Sequence, residues 1–305
     1  MESTITVSGL RKAYGGNEAV RGVGFEVARG EVFALLGPNG AGKTTTVEIL
    51  EGYRTADAGE VRVLGVDPAT AGSSFRARIG IVLQGSGVYP YMTPREVLRL
   101  FAGYYPRSRA VEDVLETVGL VDKADAFVRT LSGGQVRRLD VALALIGEPE
   151  VIFLDEPTTG FDPGARRDAW EMIAALAARG ATVFLTTHYM EEAQFLAHRV
   201  AVMRAGEIVA VGPPAALGAG GLVEIRLVAP EGLDRNELGR LAGGAIRDAG
   251  ERIAIEVADP TAPLHALTGW ALERGVLLER LEVVRPSLED VYLTLTADET
   301  IAVPS

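Results

Sequence analysis

The chain of 305 residues contains no cysteine. Disulfides, thiolate chemistry and cysteine-based zinc sites are excluded together. Histidine is scarce: only His188, His198 and His265 occur, too few for a histidine metal centre. Lysine occurs only at Lys12, Lys43 and Lys123 among 30 basic residues, so Lys43 stands out as a place where arginine was not used. No apolar run approaches the ~18 residues that a membrane-crossing helix requires. The opening MESTITVSGL has no basic region followed by an apolar one, as a secretory signal would. The expectation is a protein kept in the cytosol. The net charge of −11 argues against a nucleic-acid face, because phosphate backbones are bound mainly by Lys and Arg.

What is present is ample core material. Hydrophobic residues make up 48% of the chain, so disorder is excluded as a reading of the whole. The mean hydropathy of +0.18 fits a large core or a large interface. The length suits one large domain and a small one. Short apolar runs, EVFALLG (31–37), VIFLD (151–155) and TVFLTT (182–187), alternate with helix-like segments such as TTTVEILEGY and AWEMIAALAARG. That alternation predicts a parallel α/β sheet. ITVSGLRKAY, VRGVGFEVARGE and GEVRVLGVD predict an antiparallel β patch, and residues 93 to about 147 a mostly helical region. Thr93 and Glu96 form a capping box, with Pro94 at the first helical position. After GEIVAVGPPAALGAGG the pattern changes. VEIRLVA, RIAIEVA and LLERLEVV read as strands of a small α+β domain, with LHALTGWALERG as a helix between them. The domain boundary is placed at 219/220. Ser287 and Asp290 predict a further capped helix with Leu288, Val291, Tyr292 and Leu295 on one apolar face.

Three segments carry chemistry. GPNGAGKT (37–44) fits G-x-x-x-x-G-K-[ST], entered by a strand and left by a helix. The loop, Gly37, Pro38, Asn39, Gly40, Ala41 and Gly42, can wrap phosphate oxygens with its backbone N–H groups, and the helix that starts with Lys43, Thr44 and Thr45 adds its dipole. Lys43 is expected to place a point charge on the β- and γ-phosphates and the Thr44 hydroxyl to ligate Mg²⁺. VIFLDEP (151–157) ends an apolar strand in Asp155, where a carboxylate can face a metal at the sheet's C-terminal edge. Glu156 follows and can polarise an attacking water. Adjacent acids at a strand end are also compatible with simple solvation; the P-loop upstream favours catalysis. The third segment is LSGGQVRRLD (131–140). Ser132, Gly133, Gly134 and Gln135 open a helix over roughly 134–146, which again suits an anion, although a capping serine with glycines is common. A second cradle calls for a second nucleotide or a second copy of the chain.

GPNGAGKT, LSGGQ and LDEP in this order resemble the ATP-binding cassette ATPases over residues 1 to about 219. The resemblance implies a RecA-like P-loop core with an antiparallel β patch and a helical subdomain. It also implies that two chains sandwich two ATPs in a head-to-tail dimer, so that Ser132 completes the partner's site. By the same resemblance Tyr14 stacks on adenine. Gln84 touches Mg²⁺ and begins the segment that faces the membrane partner, where Tyr89 to Met92 are interface candidates. Asp162 lies in the loop that crosses the dimer interface, with Phe161 where leucine is commoner. His188 contacts the γ-phosphate, whereas His198 and His265 are structural. EGYRTADAGEVRVLGVDP, LDEPTTGFDP and PSLEDVYLTLT look like the bacterial daunorubicin/doxorubicin-resistance exporter branch. In that branch the cassette and the membrane permease are separate polypeptides, so the protein is expected on the inner face of the membrane through its permease. Rival readings are an importer subunit, a soluble cassette acting on nucleic acid or ribosomes, and a regulatory module without turnover. The single cassette, the short interval between P-loop and signature, the acidic balance and the presence of Glu156 weigh against the last two.

Overall fold

The computed structural model describes residues 3–83, 87–217, 223–228, 235–249 and 252–284. The chain divides into two compact units, residues 1–213 and 214–305.

The first unit opens with a long hairpin, β1 (Ser3–Tyr14) and β2 (Asn17–Ala28). The five-residue strand β3 (Val32–Leu36) follows and is buried along its whole length. Helix α1 (Lys43–Leu50) leaves the glycine loop, and β4 (Ala58–Val63) returns to pair with β1, giving an antiparallel sheet in the order β2-β1-β4. A single helical turn, α2 (Ser73–Arg76), leads into β5 (Ile79–Val82). The helical region consists of α3 (Pro94–Ala102), α4 (Val111–Thr117) and α5 (Gly133–Leu145), with two 3₁₀ turns at Val121–Lys123 and Val128–Thr130. The Thr93–Glu96 capping box opens α3, with Pro94 in its first turn. The chain then alternates through β6 (Val151–Asp155), α6 (Pro163–Ala178), β7 (Thr182–Thr187), α7 (Met190–Leu196), β8 (Arg199–Arg204) and β9 (Glu207–Gly212).

The main sheet runs β5-β6-β7-β3-β8-β9. Every neighbouring pair is parallel except β8–β9. β3, β6 and β7 are buried on both faces, which is why they read as unbroken apolar runs rather than alternating ones. Phe33, Phe153 and Phe184 fill the middle, with Phe25 of the antiparallel sheet stacked on Phe33 at 5.1 Å between centroids. Because the strands are parallel, the C-terminal ends of β5, β6, β7 and β3 open on one edge. At or just past these ends stand Asp155–Glu156, His188 and the glycine loop.

The second unit begins with the short helix α8 (Pro214–Leu217) and continues as β10 (Val223–Leu227), α9 (Arg235–Ala242), β11 (Ala245–Ala249), β12 (Arg252–Val257), α10 (Thr261–Arg274) and β13 (Glu282–Val284). Its antiparallel sheet has the order β11-β12-β10-β13. Ile225, Leu227, Ile253, Ile255, Leu238 and Leu267 form its core. GEIVAVG forms the edge strand β9 of the first unit. One sequence expectation is corrected, that of a strand over LLERLEVV. Of LLERLEVV only the last three residues form a strand, because Arg280 turns at φ 51°. The expected helix beginning at Ser287 lies outside the described residues.

Candidate active site

The glycine loop is shaped by close packing from below. A Cβ on Gly37 would lie 2.3 Å from the Met203 carbonyl oxygen, and one on Gly42 the same distance from that of Ala19. Gly42 also holds φ 103°, which a residue with a side chain rarely adopts. It caps α1, whose first residue, Lys43, is 4% exposed. Lys43 Nζ donates to the carbonyls of Gly37 at 2.8 Å and Pro38 at 3.1 Å and lies 3.3 Å from Glu156 Oε1. An ammonium bent over its own loop toward the sheet edge stands where it can meet a phosphate chain. Thr44 is exposed and Thr45 half-buried at the start of the same helix.

Asp155 ends β6 and is buried. Thr186 of β7, its lateral neighbour, donates a short hydrogen bond to Asp155 Oδ1. Burial pushes the Asp155 carboxyl above its ordinary range, opposed by that bond and by Lys43. Glu156 takes φ 46°, uncommon outside glycine. Its amide is held by Thr186, donating to Oγ1 at 3.0 Å and to the carbonyl at 3.2 Å. The turn aims the Glu156 carboxylate between three groups: Lys43, His188 Nδ1 at 3.3 Å from Oε2, and the Thr159 hydroxyl, which donates to Oε2 at 3.1 Å. The His188 contact lacks hydrogen-bond alignment. Burial raises the Glu156 pKa, but Lys43, His188 and Thr159 together outweigh it, and the net shift is downward. Glu156 is therefore ionised at neutral pH.

Ser132 caps α5 through a complete capping box: it accepts from Gln135 N at 3.3 Å, and its own amide donates to Gln135 Oε1 at 3.0 Å. Gly133 presents open backbone, and Gly134 faces the Ala165 side chain at van der Waals distance. These residues share a cleft of about 560 Å³ with Gly160, Phe161 and Asp162, and no residue of the glycine loop lines it. Asp162 caps α6 by accepting from Gly164 and Ala165. The Tyr14 ring ends β1 and is 41% exposed, with the cations of Lys12 and Arg54 5.7 and 5.5 Å from its centroid. Gln84 lies outside the described residues. His198 accepts the Val32 amide through Nδ1, a structural role.

Four residues without an expected role join the site. Thr159 and Thr186 position the two acids, and two threonines in apolar or turn contexts give no sequence signal for this. Arg137, half of the arginine pair after the signature, is buried on α5. It donates to the carbonyls of Leu83, of Pro157 at 3.0 Å and of Asp155 at 3.4 Å, binding the signature helix to the ends of β5 and β6. Glu192, fully buried on α7, accepts from Thr158 at 2.8 Å and from Trp170 Nε1 at 2.9 Å, with its pKa raised by burial. It joins the segment after Glu156 to α6 and α7.

A strand–glycine loop–helix with its lysine over the loop, beside a strand-end Asp-Glu pair, defines a P-loop nucleoside triphosphatase. Comparison with known proteins narrows this. Residues 20–159 match the ABC transporter family, and residues 223–287 match the C-terminal domain of ABC transporter domain-containing protein-like chains. The Nod factor export ATP-binding protein I of Paraburkholderia xenovorans (strain LB400) is 43% identical over 307 residues, covering 98% of each chain. The daunorubicin resistance ATP-binding protein DrrA3 of Streptomyces coeruleorubidus is 38% identical over 312 residues, covering 98% of this chain and 97% of that one. Among solved structures, the ATP-binding subunit of an ABC transporter superposes with TM-score 0.63 at 27% identity, covering 70% of this chain and 91% of that one. A dimeric bacterial ABC transporter cassette does so with TM-score 0.61 at 25% identity, covering 68% and 98%. The chain belongs to the ATP-binding, ATP-hydrolysing cassettes of the ABC transporter family.

Proposed function

We propose that this chain powers an exporter of drugs, antibiotics or other hydrophobic molecules through a separate membrane permease. The observation that carries the ATPase part is the ionised Glu156 carboxylate held between Lys43, Thr159 and His188 at the sheet edge. The export part is supported by relatives of nearly equal length named for Nod factor export and daunorubicin resistance. Among the described residues no helix is long and apolar enough to cross a membrane, which is consistent with a separate permease.

In this reading the glycine loop and the α1 N-terminus hold the phosphates of ATP, Lys43 meets the β- and γ-phosphates, and Tyr14 offers its exposed ring to adenine. Mg²⁺ takes hard oxygen ligands and keeps several from water and phosphate, so it is suited by one protein carboxylate and one hydroxyl, which Asp155 and Thr44 supply, with Gln84, just past β5 in the sequence, as a further candidate. When bound, the ion neutralises charge that develops on the phosphates. Glu156 accepts the proton of the attacking water and His188 supports the γ-phosphate. Because the Ser132 cleft includes Asp162 but no glycine-loop residue, the signature serves the ATP of a second copy in a head-to-tail dimer. The loop at Tyr89 to Met92, with both tyrosines exposed, follows Gln84 and faces the permease. The importer reading has no observation in its favour. The test is co-purification with the membrane protein encoded beside this gene and ATP-dependent efflux from vesicles holding both. Failure of the chain to co-purify with that membrane protein, or efflux from vesicles that does not depend on ATP, would overturn the exporter assignment.

A further inference from the structure

His188 is held in place without a directional bond. Its Nδ1 is buried and makes no hydrogen bond, and its approach to Glu156 Oε2 at 3.3 Å lacks the alignment of one. What the imidazole does meet is the next ring in the chain. The centroids of His188 and Tyr189 are 4.0 Å apart, with the planes tilted by 41°. Neighbouring residues on an extended chain send their side chains to opposite sides. Here the chain leaves β7 after Thr187, and the Tyr189 amide donates to the Thr187 hydroxyl at 2.9 Å. That turn brings the two rings together.

Tyr189 is met in turn by Arg166 of α6. The guanidinium carbon lies 4.1 Å from the Tyr189 centroid, the shortest cation–ring distance among the described residues. Arg166 ends the first turn of α6, its amide donating to the Asp162 carbonyl at 3.0 Å. Among the described residues its side chain forms no ion pair and no hydrogen bond, and Nε is buried without a partner. The buried Glu192 carboxylate is bonded to Thr158 and Trp170 instead. A guanidinium carries five donors, so leaving it without hydrogen bonds in a half-buried place is costly. The negative face of an aromatic ring is the partner that such a cation can use in their stead. The flat fork of arginine also suits a ring face better than an ammonium does. Guanidinium, phenol ring and imidazole thus form one run of contacts that ends beside Glu156.

We infer that Arg166 is a positioning residue for His188: its guanidinium holds the Tyr189 ring, and the ring holds the imidazole beside Glu156. The consequence for turnover rests on the proposed contact of His188 with the γ-phosphate; the placement of the ring does not. A group displaced by about 1 Å from its working position can cost on the order of 10²-fold in rate. Arg166 itself is not placed against the nucleotide, so its loss should lower kcat while leaving KM for ATP nearly unchanged.

The experiment uses the full-length chain, whose three histidines give three sets of ring signals in a ¹H–¹³C spectrum. His188→Gln assigns the His188 set by its disappearance, and His198 and His265 serve as internal references. The His188 protons should carry a ring-current displacement from Tyr189. Arg166→Met is expected to remove more than half of that displacement while the other two histidines keep their signals. Arg166→Gln is read by the same criterion if Arg166→Met does not fold. Tyr189→Phe, which keeps the ring, should retain the displacement. In parallel, kcat of the Arg166 variant should fall about tenfold or more with KM within about threefold. An unmoved His188 signal in the Arg166 variant overturns the inference, as does loss of the displacement in Tyr189→Phe. A displaced signal at unchanged kcat, where His188→Gln is inactive, overturns it too. If His188→Gln itself turns over ATP normally, the γ-phosphate reading of His188 fails, and the ring displacement alone decides whether Arg166 places it.

Discussion

Lys43 Nζ lies 3.3 Å from Glu156 Oε1, so the glycine-loop lysine and the candidate base are each other's counter-ions. The pair sets opposite charges side by side in a largely buried place, where a lone charge is costly. On the proposed function, an arriving phosphate chain would take over Lys43 and free the carboxylate to face water. Glu156→Gln should therefore bind ATP with near wild-type affinity and lose turnover by about 10²–10⁴-fold. The ATP-bound dimer should accumulate on size exclusion. Normal phosphate release by this variant would remove Glu156 from the role of base.

Ser132 should act on the other subunit's nucleotide. A Ser132→Arg chain is expected to bind ATP in its own loop while hydrolysing little. Mixing it with a Lys43→Ala chain leaves one hybrid site whole, and some activity should return. Full-rate hydrolysis by a chain shown to be monomeric at high dilution would contradict a shared site.

Thr186 braces both acids, donating to Asp155 and receiving the Glu156 amide. Thr186→Val keeps the shape of the buried strand but removes both bonds. Outer supports of this kind typically contribute 10–100-fold in metal affinity or activity. A loss of that size in the Mg²⁺ dependence of turnover, at unchanged thermal stability within a few degrees, is expected. An unaltered Mg²⁺ titration would show that Asp155 needs no such support.

Arg137 ties three carbonyls from separate segments. Arg137→Met leaves those acceptors buried without a donor and should cost about 3 kcal/mol of unfolding free energy. Urea denaturation measures it. A change below about 0.5 kcal/mol would mean that water replaces the guanidinium at no cost.

Glu51 gives the pH dependence its sign. Burial at the end of α1 sets its folded pKa at about 8, above the ordinary glutamate value of 4.5. The folded form binds the proton more tightly, so the carboxyl is harmless below pH 4.5 and its destabilising effect grows as pH rises toward about 8. Glu51→Gln should accordingly raise the melting temperature little at pH 4.5 and progressively more up to pH 8. A gain that is independent of pH would show that the carboxyl does not titrate in that window.

Much of the site was legible because local sequence dictates local geometry. A lysine and threonine after a glycine loop, acids ending an apolar strand and a serine before Gly-Gly-Gln must each lie at a strand or helix end, whatever the rest of the chain does. The catalytic grouping was less legible. Thr159, Thr186, Arg137 and Glu192 act through partners far away in sequence, and a buried threonine or glutamate looks the same whether it braces an acid or merely fills a core. Glu51 is the extreme case: an acid closing a short helix reads as a solvated end, and only packing of β5, α2 and the helical region around it buries it.

The sequence by itself determined which elements form, since apolar runs of strand length between capped helices admit few alternatives, and it determined the chemical inventory at their ends. Only the tertiary structure decided which ends meet. The order β5-β6-β7-β3 follows from long-range pairing, and parallel register alone places Thr186 beside Asp155. It also decided that the signature cleft closes on Asp162 and not on the chain's own glycine loop. The reason is physical: backbone propensity acts over a few residues, whereas burial, charge pairing and strand register are settled between segments that the chain keeps far apart.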